Sequence, residues 1–157
     1  MLSWNQFVKE AADFADAARR RLVGSDGVAI GFLATVSARR EPRIAPVCPI
    51  FCGDHLYVSA GGHTPKVEEL RNQRAYALHA FLGENDEEIQ LGGTATEVLD
   101  LAERAAVHRA IPFKAFNTAD PIFRLTIDRA LWVYWERVGE PSTKPIRRRW
   151  KAGTGAA

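Results

Sequence analysis

Three short strand-like runs follow one another between residues 28 and 60, and the turns between them are too short to hold a helix. The runs are rich in β-branched and aromatic residues, and polar or glycine-containing turns separate them. They cover Val28–Val36, Arg43–Phe51 and His55–Ala60. Because parallel strands need a crossover of a dozen residues or more, the runs predict an antiparallel meander rather than a dinucleotide-binding βαβ fold.

Three helices are predicted around this meander. The first has apolar residues at steps of three and four. The second begins at Thr64-Pro65, since threonine caps a helix and proline suits its first position. Asp100, with a glutamate three residues later, starts the third. The three helices cover residues 4–22, 65–71 and 101–110.

Four more strand-like runs complete the pattern. They cover Ala75–Leu82, Ile89–Val98, Pro121–Ile127 and Leu131–Val138, and the last two predict a hairpin around residues 128–130. From Gly139 the chain reads as an irregular tail. We therefore expect one α+β domain over 1–157, with a six- to seven-stranded antiparallel barrel, an N-terminal helical segment (1–24) and a C-terminal tail (139–157).

The composition is that of a soluble globular protein, with 46% apolar and 25% charged residues. The chain has no apolar run long enough to span a membrane and no secretory signal at its start, so we expect a cytoplasmic protein that does not bind membranes. Cys48 and Cys52 would lie about 13 Å apart along one strand, which is too far for a disulfide. They are predicted to be free thiols.

Positive charge is concentrated in the tail. The chain has 21 basic and 19 acidic residues, and five of the basic ones lie in the last 16 residues, which contain no acid. This tail is either a solvated terminus, an anion site or a weak attractor of nucleic acid. Nucleic-acid binding is not expected, because the rest of the chain offers no second basic stripe.

The start of the second predicted helix is the best local signal for a ligand. The N-terminus of a helix attracts anions, and Thr64 adds a hydroxyl group there. Lys66 lies in the first turn, where a cation is unfavourable unless an anion is close. Lys66 is therefore either a phosphate ligand or an ordinary surface lysine, and Arg43 is a possible second phosphate partner. No hydrolase, nucleotide-loop or metal motif is present, so no catalytic residue and no metal site are assigned.

Six short segments, in this order, resemble the pyridoxamine 5'-phosphate oxidase-like superfamily of FMN-binding split β-barrels. They are GFLATV (31–36), EPRIAPV (41–47), GDHLYVSA (53–60), TPKVEELRNQRAYAL (64–78), GTATEV (93–98) and VYW (133–135). The resemblance covers roughly residues 28–138. It implies an antiparallel split barrel and a homodimer with FMN at the subunit interface.

The resemblance also implies contacts to the flavin. Lys66 matches the phosphate-binding lysine of the family, and Trp135 matches an aromatic residue that approaches the cofactor from the partner subunit. One of residues 147–149, represented by Arg147, matches a C-terminal basic residue, and Glu88 stands where the family often has a glutamine. The remaining cofactor contacts implied are Arg43, Ile44, Ala45, Pro46, Val47, Ser59, Ala60 and Thr64.

Departures from the family pattern limit the function that can be assigned. Pro65 stands where an arginine often precedes the phosphate lysine, and the tail lacks the histidine of the substrate clamp of true pyridoxamine phosphate oxidases. We therefore expect an FMN-dependent oxidoreductase acting on another small molecule. The alternatives are a reductase of the same fold that uses the deazaflavin F420, and a non-catalytic protein that binds flavin or haem.

Overall fold

The computed structural model describes residues 1–114 and 116–153. Within these residues it contains four α-helices and eight β-strands. The helices are α1 (Trp4–Glu10), α2 (Ala12–Leu22), α3 (Pro65–Asn72) and α4 (Leu101–Ala110). The strands are β1 (Gly31–Val36), β2 (Pro42–Val47), β3 (Ile50–Cys52), β4 (His55–Ser59), β5 (Ala75–Ala80), β6 (Glu88–Glu97), β7 (Ile122–Glu136) and β8 (Lys144–Lys151).

The strands form one antiparallel sheet in the order β2-β1-β5-β6-β7-β4-β3, and β8 pairs with the second half of β7. The sheet curls into a split barrel. This confirms the predicted α+β fold class. The helices α1 and α2 pack on its inner face, where Phe7 and Phe14 join a core with Leu33, Leu78 and Leu125.

The split of the barrel lies at the link between β2 and β3. These two strands stand at opposite ends of the strand order, yet only Cys48 and Pro49 separate them in the chain. The prediction of one strand over Arg43–Phe51 is therefore wrong. Pro49 has no N–H group to donate to a sheet, so the ladder ends there and the chain crosses the split.

The predicted hairpin around residues 128–130 is also wrong, because β7 runs through them without a turn. The pairing with β6 shifts register by one residue at Gly92/Gly93, which leaves Asp128 as the extra residue of a β-bulge. Gly93 makes the bulge possible: a Cβ atom there would lie 1.8 Å from the carbonyl oxygen of Thr126.

Part of the predicted irregular tail is the strand β8. Trp150 on this strand is 2% exposed and belongs to the main core. The guanidinium of Arg148 lies over the rings of Phe14 and Trp132 and contacts the carboxylate of Asp13 at 2.6 Å. On β8, the paired Arg148 and the buried Trp150 alternate with exposed cations. Because most of these residues are basic, the sequence shows no alternation of apolar and polar residues that would predict a strand. Residues 154–157 of the predicted tail lie outside the described residues.

The N-terminal helix differs from the prediction as well. It is two helices, because Ala11 leaves the helical conformation (φ −145°, ψ 60°). Ala11 is itself buried, and the break lets Phe7 and Phe14 reach the same core from two helix directions. No proline or glycine marks the break in the sequence. Among the described helices, none is long and apolar enough to cross a membrane.

Candidate functional site

A cavity of about 370 Å³ opens at the split of the barrel. This volume is within the usual range for sites that bind small ligands. The ends of β2 and β4, the first turn of α3 and the segment after α4 all contribute to it. Its lining residues are Ile30, Pro46, Val47, Cys48, Ser59, Ala60, Gly61, Lys66, Phe113, Phe116 and Asp120.

Five of the residues predicted from the sequence meet in this cavity. They are Pro46, Val47, Ser59, Ala60 and Lys66. The strands β2 and β4 are not neighbours in the sheet, so the residues meet only because the sheet curls and brings its two ends together. The fold thus brings these five residues, far apart in the chain, to one cavity.

Lys66 provides the positive charge of the cavity. Thr64 is at the N-cap of α3 with an extended backbone, and Pro65 is at the first helical position, as predicted. The hydroxyl group of Thr64 donates to the carbonyl oxygen of Gly61 at 2.8 Å and caps no N–H group of the helix. Lys66 therefore lies close to the positive end of the helix dipole, an arrangement that favours a bound anion.

Arg43 lies outside the cavity. Its side chain is on the opposite face of β2 from Ile44 and Pro46, and its Nε donates to the carboxylate of Glu69 at 3.0 Å. Glu69 is 7% exposed and also accepts a hydrogen bond from the hydroxyl group of Thr35. Burial raises the pKa of Glu69, but the hydrogen bonds from Thr35 and Arg43 outweigh it and lower the pKa. Arg43 is therefore part of a structural ion pair.

The outer face of the sheet holds most of the other predicted residues. Opposed residues of an antiparallel pair point to the same face. Glu88 is opposite Val133, Val133 is opposite Arg147, and Trp135 on the same strand is 38% exposed. Ile44 is on this face too, and Ala45 is on the inner one. None of these described residues lines the cavity within the chain.

This outer face is largely apolar and open to solvent. Phe32, Ala34, Ile44, Ala77, His79 and Gln90 line a shallow pocket on it. Ile44 is 70% exposed, and Phe32 meets the half-exposed Phe81 edge to face at 4.7 Å between ring centres. A contiguous exposed patch of this kind marks an interaction surface.

Two phenylalanines complete the cavity, and they were not predicted from the sequence. Phe113 and Phe116 follow α4, and their ring centres lie 6.4 Å apart at 87°. Asp120 also lines the cavity, and its carboxylate accepts a hydrogen bond from the N–H group of Gly62. The only signal in the sequence is the presence of aromatic residues in a proline-containing loop. Their contact with the cavity is not predictable from this signal, because it depends on how α4 packs.

The helix α4 is held by ion pairs and hydrogen bonds. Arg124 donates to the carboxylate of Glu103 at 2.9 Å, and the hydroxyl group of Tyr57 donates to it at 2.8 Å. Arg104 donates to the carbonyl oxygens of Thr118 and Asp120. Together these contacts hold α4 against the barrel and tie Thr118 and Asp120 to the helix.

Comparison with known proteins supports the fold. No family model and no curated protein matches the sequence. A NimC/NimA family protein from Clostridium acetobutylicum has a TM-score of 0.61 at 14% identity, covering 92% of this chain and 94% of that one. A protein from the same organism, related to general stress protein 26 and placed in the pyridoxinephosphate oxidase family, has a TM-score of 0.59 at 14% identity, covering 94% and 96%.

A haem-binding protein from Mycobacterium smegmatis is also similar, with a TM-score of 0.56 and 16% identity. The match covers 83% of this chain but only 57% of that protein. These similarities confirm that the chain has the pyridoxamine 5'-phosphate oxidase-like split-barrel fold, which its sequence motifs resemble. At such low identity they establish the fold alone.

Proposed function

We propose that this chain is an FMN-dependent oxidoreductase whose cofactor occupies the cavity at the barrel split. The observation that carries the proposal is the position of Lys66, in the first turn of α3 and on the wall of a cavity that the ends of β2 and β4 also line. An amine beside a helix N-terminus is suited to a phosphate group. When bound, FMN would supply the electron-transfer chemistry.

The residues present fit a phosphorylated ligand with an apolar ring system. Ile30, Pro46 and Val47 offer apolar surface to a ring system, and Lys66 offers charge to the phosphate. Asp120 lies in the same cavity, so among the described lining residues one cation is balanced by one carboxylate. Because Arg43 is paired with Glu69, a second cation would have to come from outside the chain's own cavity.

A homodimer through the outer face would supply further contacts. Trp135 and Arg147 lie on this face and away from the cavity of their own chain. The exposed apolar surface centred on Ile44 and Phe32 would be buried in a two-fold symmetric dimer. In such a dimer the same surface of each copy packs against the other. We infer that Trp135 and Arg147 act across this interface.

Two alternatives use the same cavity. F420 carries a phosphate and an acidic tail that a basic surface would suit. The similar protein from Mycobacterium smegmatis binds haem, but no histidine is among the described residues that line the cavity. The absorbance spectrum of the purified protein, with the mass of any released chromophore, separates these cofactors from FMN.

The cofactor site is tested by titrating the Lys66→Ala variant with FMN and determining Kd from the change in flavin fluorescence. Loss of one charged hydrogen bond is worth about 1.5–3 kcal/mol, so Kd should rise by about 10- to 150-fold. Lys9→Ala, an exposed lysine on α1, is the matched control and should bind FMN like the wild type. An unchanged Kd in Lys66→Ala would remove Lys66 from the site, and failure of the wild type to bind FMN would refute the function.

A further inference from the structure

We propose that the outer face buries an ion pair between protonated His79 and Glu88, so that the dimer formed through this face weakens as the pH rises. This inference rests on the dimer of the proposed function and adds its regulation by pH. The two residues belong to the neighbouring strands β5 and β6, and neither lines the cavity at the barrel split.

His79 lies among the apolar side chains of the outer face. It lines the same shallow pocket as Phe32 and Ile44, and it is opposite Phe32 on β1 and Gln90 on β6. Glu88 is two residues before Gln90 and therefore points to the same face as His79. The side chains of His79 and Glu88 are 35% and 34% exposed. A second copy packed on this face would remove the water that now reaches them.

The contacts of the imidazole show where its protons must be. Nδ1 of His79 lies 2.6 Å from the carbonyl oxygen of Ala80. Because a carbonyl oxygen can only accept, Nδ1 carries a hydrogen and donates it. Nε2 lies 3.5 Å from a carboxylate oxygen of Glu88, and in the neutral imidazole this nitrogen would present a lone pair to the carboxylate. The contact is attractive only when a proton lies between the two atoms, which makes the pair an imidazolium and a carboxylate.

The charged groups on the surrounding elements do not replace this pair. From β1, His79 meets an apolar ring. Arg147 on β8 is two strands away from Glu88, which is about 10 Å between backbones. Arg21 on α2 donates to a backbone carbonyl oxygen beyond β5, and the acids of the short turn Glu84–Asp86 are exposed. Among the described residues, Glu88 is therefore the charged group that pairs with His79.

Burial of this pair makes the dimer sensitive to pH. Histidine is the side chain that ordinarily changes its charge between about pH 5 and pH 8. When His79 loses its proton, the dimer must bury the Glu88 carboxylate without a partner, whereas water solvates this carboxylate in the monomer. The chain has a net charge of +2 at pH 7, so the general repulsion between two copies falls as the pH rises. Net charge alone would therefore change the dimer in the opposite direction.

The test is the dissociation constant of the dimer, measured by sedimentation of a dilution series of the full chain at about pH 6 and about pH 8.5. We expect Kd to rise about tenfold, or about 1.4 kcal/mol shared by the two pairs of a dimer. His79→Gln carries no charge and should lose this rise. Glu88→Gln should reverse its sign, because the imidazolium is then the unpaired charge. His63→Gln, which removes an exposed histidine of the loop before α3, is the control and should keep the rise.

Three results would overturn the inference: a wild-type Kd that is equal at both pH values, the same rise in His79→Gln, or a chain that is monomeric throughout. Titration with FMN at the same two pH values keeps this outcome separate from that of the proposed function. A dimer that weakens with pH but binds no FMN would refute only the cofactor. A dimer that binds FMN and does not respond to pH would refute only the role of His79 and Glu88.

Discussion

The buried carboxylate of Glu69 determines what Arg43 can do. A carboxylate that is 7% exposed needs both charge and hydrogen bonds, and Arg43 and Thr35 supply them. Arg43 can therefore not move into the ligand cavity without leaving Glu69 buried and unpaired. Lys66 is left as the cation of the cavity among the described residues of the chain.

Glu69→Gln should lower stability in a pH-dependent way. The pKa of Glu69 is lower in the folded state than in the unfolded state. The charged carboxylate therefore contributes fully to folding stability at a pH above its unfolded-state pKa. This contribution is lost as the pH falls through its folded-state pKa. We expect a cost of about 1–3 kcal/mol at pH 7, measured by urea unfolding. Below about pH 4, close to the unfolded-state pKa of a glutamate, the difference in the free energy of unfolding between Glu69→Gln and the wild type should shrink.

Glu68→Gln is the matched control for this measurement, since Glu68 is the exposed neighbour of Glu69 on α3. It should change stability by less than about 0.5 kcal/mol at any pH. A gap between Glu69→Gln and the wild type that stays constant from pH 7 to pH 3 would contradict a charged Glu69.

The sequence predicts the local structure around Lys66, the start of α3. Thr64, Pro65 and Lys66 are recognisable because helix capping and helix polarity act within a few residues. The ion pair that holds Arg43 outside the cavity is not predictable from the sequence, because its partner Glu69 is 26 residues away and the pair forms only when α3 packs on β1. Phe113 and Phe116 are missed for the same reason, since their position depends on the anchoring of α4.

At the scale of elements, the bulge in β6 and β7 shapes the barrel. The long strand β7 pairs with β6 along one edge and with β4 and then β8 along the other. The bulge at Asp128 lets this strand bend while the pairing continues. It depends on Gly93, whose Cα faces the backbone of Thr126 closely enough to exclude any side chain.

Two adjacent glycines give a matched test of the bulge. Gly93→Ala would place its Cβ against the Thr126 carbonyl, so it should destabilise the fold by about 3 kcal/mol. Gly92→Ala would meet only the side chain of Arg129, which is flexible and half-exposed, and should cost within about 1 kcal/mol. Thermal unfolding of both variants checks the difference. Equal melting temperatures would contradict the close approach at Gly93.

Turns, helix caps and the placement of charged residues determine which secondary-structure elements can be predicted from the sequence. The helices α3 and α4 and the turns before β2 and β4 are predicted correctly, because caps and short turns mark their ends, whereas the crossing of the barrel split between β2 and β3 is not. Residues 128–130 have the composition of a turn, but they lie inside β7, where Asp128 is the extra residue of a bulge. The sequence of β8 resembles a solvated tail, because cations occupy its exposed positions. Trp150 is the residue whose burial distinguishes β8 from a solvated terminus, and burial depends on tertiary packing.

At the scale of the whole molecule, the curled sheet separates two functional surfaces. The cavity forms where the ends of the sheet meet, and the apolar outer face forms where strands β2, β1, β5 and β6 lie uncovered. The helices α1 and α2 fill the inner side, so this outer face remains available for a second copy. The proposed dimer and the proposed cofactor site are thus consequences of the same curvature.

Ile44→Asp should disrupt the proposed dimer. A charge at this exposed apolar position would be buried without a partner in a symmetric interface, on both copies at once. Light scattering at micromolar concentration should give a dimer for the wild type and a monomer for the variant. Leu101→Asp, equally exposed on α4, is the control and should remain dimeric. A monomeric wild type would contradict a shared interface.

The most direct test of the central claim uses the chain's own thiols. Cys48 lines the cavity, whereas Cys52 packs against the separate cluster beneath α4, and both are free. The rate of alkylation of each cysteine, followed by mass spectrometry with and without saturating FMN, reports where the flavin binds. We expect FMN to slow the alkylation of Cys48 and to leave that of Cys52 unchanged. Flavin binding that leaves Cys48 equally reactive would place the cofactor elsewhere and contradict it.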